Sequence, residues 1–262
     1  MDDSVLPSIP AEPAVTAADL AASWAAVREH GPLVQCLTNI VAAPLTANVL
    51  LAAGAAPAMV DNAHEARGFA AAASGVLVNL GTPYDDTTAA MREAVAGAGD
   101  AGTPWVLDPV AVGGLPWRTA VARELLALAA PGAGGRGADS VDSPADALVV
   151  ARRLAREHGC VVAISGEVDH LTDGERVLRL ANGHAWMTKV TGVGCALGAL
   201  VAACAAVTDD ALTAAGAATA ALTVAAERAA AVTEGPGTFA ARLLDELSTL
   251  HPDRLAAQVA LS

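Results

Sequence analysis

Thr191-Gly192-Val193-Gly194-Cys195-Ala196-Leu197-Gly198 is the stretch whose reading sets the fold. Two glycines run straight into an apolar segment, Cys195 to Val207, that stops at Thr208-Asp209-Asp210. A glycine-rich turn opening a buried helix leaves unpaired N–H groups and the positive end of the helix dipole converging on one point. That point suits a phosphoryl group, above all one whose charge shifts in a transition state. Cys195 falls in the first turn, where the dipole is expected to depress its thiol pKa and favour thiolate. A small buried cysteine in a tight helix start accounts for the same letters equally well.

Upstream of this turn the sequence alternates. Short apolar runs (Leu33–Leu37, Ala58–Val60, Val76–Leu80, Trp105–Leu107 and Val161–Ile164) are separated by segments with helical periodicity. Repeated strand–loop–helix units predict an α/β fold: a mostly parallel central sheet with helices on both faces. Ala17–His30 has the spacing of an amphipathic helix, with Thr16 or Asp19 as its cap. A hairpin is expected across Glu175–Leu180 and His184–Thr188, turning at Asn182-Gly183. Downstream, the chain is expected to be helical over 195–207, 209–231 and 238–250, rich in alanine and punctuated by Gly235-Pro236-Gly237. Residues 1–15 read as a flexible leader and 16–262 as one domain. The rhythm breaks once. After Pro116–Ala130 a strand is due, but Pro131-Gly132-Ala133-Gly134-Gly135-Arg136-Gly137 is a turn-rich linker that cannot serve as a buried strand.

Composition narrows the function. The 262 residues carry 28 acidic and 15 basic side chains, a net charge of −13, so no basic stripe is available for a nucleic-acid backbone. Lys189 is the only lysine. Phosphate chemistry must therefore rest on main-chain amides, a bound cation, a few arginines or that one lysine. Mean hydropathy is positive (+0.45), but alanine supplies most of it, and no run reaches the roughly 20 apolar residues of a membrane span. Met1-Asp2-Asp3-Ser4 puts acids where a signal peptide needs positive charge, so a cytoplasmic protein is expected. The four cysteines are scattered without a metal or disulfide spacing, and Cys36, Cys160 and Cys204 read as core residues.

In parallel α/β sheets ligands sit beyond the carboxyl ends of the strands. Five polar loops fall there: Thr38-Asn39, Asn79-Leu80-Gly81-Thr82, Asp108-Pro109, Ser165-Gly166-Glu167 and the Thr191–Cys195 turn. Each alone is explained by helix capping; five at one edge point to a site. Other ionisable groups read more simply. Asp61, His64 and Glu65 begin a solvated helix, and Asp85-Asp86 and Asp209-Asp210 begin others. Glu167 and Asp169 follow a strand's alternation rather than an acid/base pairing. Glu227, in an apolar helix, needs a partner such as Arg228 or a neighbouring subunit.

The passage Met187–Cys195 closely resembles the phosphoryl-transfer motif of the hydroxyethylthiazole kinases, ribokinase-like enzymes of thiamine salvage. Further matches occur in the same order: Pro32-Leu33-Val34 leading to Thr38-Asn39, Thr46-Ala47-Asn48, Leu50–Ala55, Ala58-Met59, Val78–Thr82, Val106–Val110, Ile164–Asp169 and Gly235–Phe239. The resemblance runs from about residue 16 onward. It implies a ribokinase-like fold and transfer of the ATP γ-phosphate, with Mg²⁺, to the primary alcohol of 4-methyl-5-(2-hydroxyethyl)thiazole. It further implies Cys195 as the catalytic residue, in the place where related sugar kinases keep an aspartate base. Met59 and Gly192 match substrate-contacting positions, and Asn39 lies in the substrate segment. Ser165 matches an ATP-contacting threonine, Thr191 and Gly194 flank the nucleotide phosphates, and Asp108 matches the carboxylate near the metal. A homotrimer with pockets between subunits is implied as well.

The chain also departs from that pattern. Gln35 stands where a histidine is usual, Pro44 where an asparagine is usual and Ala111 where a glycine is usual. A segment typical of the family, a strand ending in Arg-Gly-Asn-x-x-Glu that contacts ATP and the metal, has no counterpart at the glycine-rich break. Two readings follow: a hydroxyethylthiazole kinase, or a non-catalytic or ATP-impaired relative that binds a small alcohol.

Overall fold

The Thr16 hydroxyl accepts a hydrogen bond from the Asp19 amide and the Asp19 carboxylate accepts one from the Thr16 N–H, closing a capping box on the first helix, α1 (Ala17–His30). Gly31 ends it in the left-handed conformation. The computed structural model describes residues 14–128 and 144–262. The expected leader up to Pro13 and the glycine-rich break at Pro131–Gly137 lie outside the described residues.

From α1 the chain alternates as its periodicity predicts: β1 (Leu33–Leu37), α2 (Ala43–Ala53), β2 (Ala56–Ala58), α3 (Ala63–Ala72), β3 (Gly75–Asn79), α4 (Asp85–Ala101), β4 (Trp105–Asp108) and α5 (Pro116–Leu128). The strands form a parallel sheet in the order β2-β1-β3-β4. Side-chain alternation splits each strand between two cores. Val34, Cys36, Leu77 and Val106 join the side covered by α1 and α2 and by later helices. Leu37, Val76, Val78, Trp105 and Leu107 join the side covered by α3, α4 and α5. Burial on both faces is what makes these strands continuous apolar runs.

Beyond the break come α6 (Pro144–His158), β5 (Val162–Ile164), β6 (Asp169–Thr172) and β7 (Val177–Leu180), then a short 3₁₀ turn (Ala185–Lys189). The last four helices are α7 (Val193–Ala205), α8 (Ala211–Ala230), α9 (Pro236–Thr249) and α10 (Pro252–Gln258). Strands β5–β7 form an antiparallel sheet of their own; among the described residues no strand joins it to β4. Both sheets nevertheless feed one core, because Val161, Ala163, Leu171, Leu178 and Leu180 pack with β1, α7 and α8. Helix α8 is buried nearly all round, as an alanine-rich sequence allows when helices approach closely.

Two expectations need correction. Strand β2 lies two residues earlier than the Ala58–Val60 run, because α2 ends at its C-cap, Gly54, and the pairing with β1 begins at once, Leu33 with Ala56. The hairpin is also one strand earlier: β6 pairs with β7 around Asp173–Arg176. There the Asp173 carboxylate accepts from the Glu175 and Arg176 amides and from the Arg176 guanidinium, closing the turn. Asn182-Gly183 instead binds Glu227. The Asn182 amide and the Gly183 N–H donate to its two oxygens, both at 3.0 Å. This is the partner that a carboxylate in an apolar helix requires, and Arg228 is left to pair with Glu246 at 2.6 Å.

Candidate active site

Strands β3 and β4 end in register, Asn79 beside Asp108. Neighbouring β1 runs out two residues before Asn39. Three polar side chains are thus delivered to one edge of the sheet by three adjacent strands. Helix α7 covers that edge. A Cβ at Gly198 would stand 2.9 Å from Leu77 Cδ1 and 3.7 Å from Asp108 Cβ, so glycine lets this turn of α7 settle against the ends of β3 and β4 without displacing Leu77.

The three side chains and Cys195 form one connected chain of hydrogen bonds. Asn79 Nδ2 donates to Asp108 Oδ2 at 2.6 Å. Asn39 Nδ2 donates to Asn79 Oδ1 at 3.0 Å and to Cys195 Sγ at 3.4 Å. Main-chain donors fix which way both amides face: the Ala42 N–H binds Asn39 Oδ1 and the Gly81 N–H binds Asn79 Oδ1. An N–H can only donate, so each Oδ1 is identified and each Nδ2 must point along the chain.

Gly192 is the N-cap of α7, with φ +91° and no side chain capping the helix. Its Cβ position is 3.1 Å from both Cα and Cβ of Ala42, so a side chain is excluded by contact as well as by conformation. The first-turn amides of Val193, Gly194 and Cys195 follow. Thr191 and Gly194 are exposed, and nothing lies within 4 Å of a Cβ built on Gly194, which leaves the front of the bend open. Lys189, also exposed, closes the 3₁₀ turn just before it.

The expected thiolate at Cys195 is not borne out. Burial pushes the thiol up from the usual value of 9.0, the Asp108 carboxylate pushes the same way, and the Asn79 and Asn39 amides only partly offset them. The helix-start field is outweighed because the sulfur is half-buried beside a negative charge. Cys36 and Cys204, deeper in the core, are pushed up to about 12. In the substrate-free protein Cys195 is therefore a thiol at neutral pH, and its alkylation by iodoacetamide should still be accelerating at pH 9. Asp108→Asn removes one of the two upward pushes and is expected to speed that alkylation at any fixed pH below 9. An unchanged or slower rate would contradict this electrostatic account.

Other sequence-identified residues stand on other elements. Met59 follows the edge strand β2 and is 40% exposed. Ser165 follows β5 in the antiparallel sheet and is also exposed. Gln35 is fully buried, and its amide donates to the Val60 carbonyl at 2.9 Å, tethering the loop that carries Met59. Ala111 adopts φ +60° in the loop after Asp108, a conformation that favours glycine. Asn79 was visible in the sequence only as one of several strand-end polar residues. Its register opposite Asp108 is the signal that singles it out.

A parallel sheet covered on both faces, with a glycine bend opening a buried helix across its strand ends, defines a ribokinase-like fold. A ribokinase-like superfamily protein from Enterococcus faecalis superimposes with a TM-score of 0.62 at 11% identity, covering 89% of this chain and 94% of that one. The chain belongs to the hydroxyethylthiazole kinase family, whose model matches residues 24–253. A hydroxyethylthiazole kinase of Cutibacterium acnes is 54% identical over 252 residues, 90% of this chain and 91% of the relative. Another, from Kineococcus radiotolerans, is 52% identical over 95% of this chain and 96% of its own. The solved hydroxyethylthiazole kinase of Pyrococcus horikoshii superimposes with a TM-score of 0.87 at 33% identity, covering 93% of this chain and 98% of that one.

Proposed function

We propose that this protein transfers the γ-phosphoryl group of ATP to the primary hydroxyl of 4-methyl-5-(2-hydroxyethyl)thiazole, giving ADP and the thiazole phosphate. One observation carries the reading. The uncapped Gly192–Cys195 bend lies at the end of an unbroken hydrogen-bond chain from Asp108 through Asn79 and Asn39 to Cys195. Names of relatives over nearly the whole chain support the same substrate.

The alcohol oxygen forms its bond to the γ-phosphorus as the bond from that phosphorus to the β-phosphate oxygen breaks, and the hydroxyl proton passes to water as the new bond forms. Such transfers pass through a loose transition state, so the protein chiefly positions the reactants and stabilises charge. The amides of Val193, Gly194 and Cys195 face the equatorial phosphoryl oxygens, where preorganised donors have their largest effect. Cys195, a thiol at rest, holds the hydroxyl in line. Thr191 and Gly194 border the polyphosphate, Ser165 approaches the nucleotide from β5, and Gly192 and Met59 line the alcohol's site with Asn39.

Asp108 fits a magnesium ion by its chemistry. It is a carboxylate at a strand end, oriented by Asn79, and among the described residues it belongs to no cluster of three or more His, Cys, Asp or Glu that would form a closed metal cage. Asp108 would hold the ion, which would supply positive charge to offset that of the nucleotide phosphates. A homotrimer would cover exposed apolar side chains of the β1–α2 loop, α2 and the residue after β2: Ile40 is 73%, Val41 61%, Leu51 60% and Met59 40% exposed. No described helix is long and apolar enough to cross a membrane, in keeping with a cytoplasmic enzyme.

The test is incubation of the purified protein with Mg²⁺, ATP and the thiazole alcohol, with both products quantified by mass spectrometry. Thiazole phosphate and ADP in equal amounts are expected. Calorimetric binding of the alcohol without any binding of MgATP would overturn the kinase reading and leave an ATP-impaired binding protein.

A further inference from the structure

We infer that Asn79 is a positioning residue for phosphoryl transfer, its carboxamide holding the Asp108 carboxylate and the Cys195 thiol in fixed relation through Asn39. This rests on the site reading given above and adds a residue to it. Asn79 is 1% exposed, and both ends of its side chain are committed. Oδ1 accepts from Asn39 Nδ2 at 3.0 Å and from the Gly81 N–H at 2.9 Å, while Nδ2 donates to Asp108 Oδ2 at 2.6 Å. Turning the amide over would set Nδ2 against the Gly81 N–H and Oδ1 against the carboxylate, so only one orientation is allowed.

No other side chain of this length meets those demands. Aspartate keeps the acceptor for Asn39 and Gly81 but faces Asp108 with a second carboxylate oxygen. Leucine satisfies none of the three partners. Asn39, the next link, is itself pinned at Oδ1 by the Ala42 N–H at the start of α2, so its Nδ2 has little freedom between Asn79 and the sulfur. Movement at Asp108 is therefore passed by two buried amides to the first turn of α7. A displacement of about 1 Å at a reacting group can cost on the order of a hundredfold in rate, which makes this link a matter of catalysis as well as of folding.

The test compares Asn79→Asp and Asn79→Ala, each alone and combined with Cys195→Ala. In either variant kcat is expected to fall at least about thirtyfold, with KM for the alcohol within about threefold of the parent. On the Cys195→Ala background the same change should cost at least about threefold less than on the parent, because one of the two groups being positioned is gone while Asp108 remains. A substrate-free readout accompanies these: alkylation of Cys195 by iodoacetamide at pH 8 should slow at least about fivefold in Asn79→Asp, which loses a donor in the chain and adds a negative charge near the sulfur. Absence of kinase activity in the parent protein would sink the thiazole reading and leave the alkylation comparison to decide the positioning role. Equal losses with and without Cys195, unchanged alkylation, or loss of cooperative unfolding in both variants would each overturn the inference, the last by showing Asn79 to be a folding residue.

Discussion

Cys195→Ala is expected to lower kcat about a hundredfold while KM for the alcohol changes less than about threefold. The sulfur is half-buried, and in the resting protein it accepts a hydrogen bond from Asn39 at 3.4 Å. Burial and Asp108 hold it protonated. A thiol of that kind binds the ground-state hydroxyl weakly, so its removal should leave binding almost untouched. Its effect comes when the oxygen must be aligned with phosphorus. Steady-state kinetics with both substrates varied would separate the two parameters. A tenfold rise in KM with kcat preserved would place Cys195 in substrate binding alone, and full activity would remove it from the reaction.

Gly192→Ala is expected to lower kcat about a hundredfold and to raise KM for the alcohol severalfold. An alanine at φ +91° costs about 1–2 kcal/mol of backbone strain. Its Cβ would also press on Ala42 at 3.1 Å, so the start of α7 must move off α2 by a few tenths of an ångström. Moving the helix start moves the Val193, Gly194 and Cys195 donors together, and removal of a single such donor costs about 10²–10³ in other transfer enzymes. The variant should remain folded, with the strain seen as a drop of several degrees in Tm. Activity within about fivefold of the parent would mean that these donors do not touch the transferring group.

How much of this was legible in the sequence depends on the range over which each signal acts. Strand β1 and helix α1 were readable to the residue, because burial periodicity and the Thr16–Asp19 cap are local properties. The glycine bend that opens α7 was equally plain, since a glycine pair before an apolar run needs no distant partner. Failures came where a distant group decides. Asn182-Gly183 has the letters of a hairpin turn, but Glu227, 45 residues away from Asn182, claims its donors. The thiol at Cys195 looked like a thiolate from its helix position alone. Asp108 and the surrounding burial, supplied by separate strands, reverse that. Asn79 was hidden for the same reason: only the parallel register with β4 brings it to Asp108.

Amide hydrogen exchange resolved to single residues, with and without ADP, aluminium fluoride, Mg²⁺ and the thiazole alcohol, tests most directly whether the Gly192–Cys195 bend binds the phosphoryl group. The trapped complex mimics the transferring group. Exchange at Val193, Gly194 and Cys195 is expected to slow by at least about tenfold, the sign of donors newly engaged by phosphoryl oxygens. Unchanged exchange at these three amides, in a complex shown by protection elsewhere to have formed, would contradict the account.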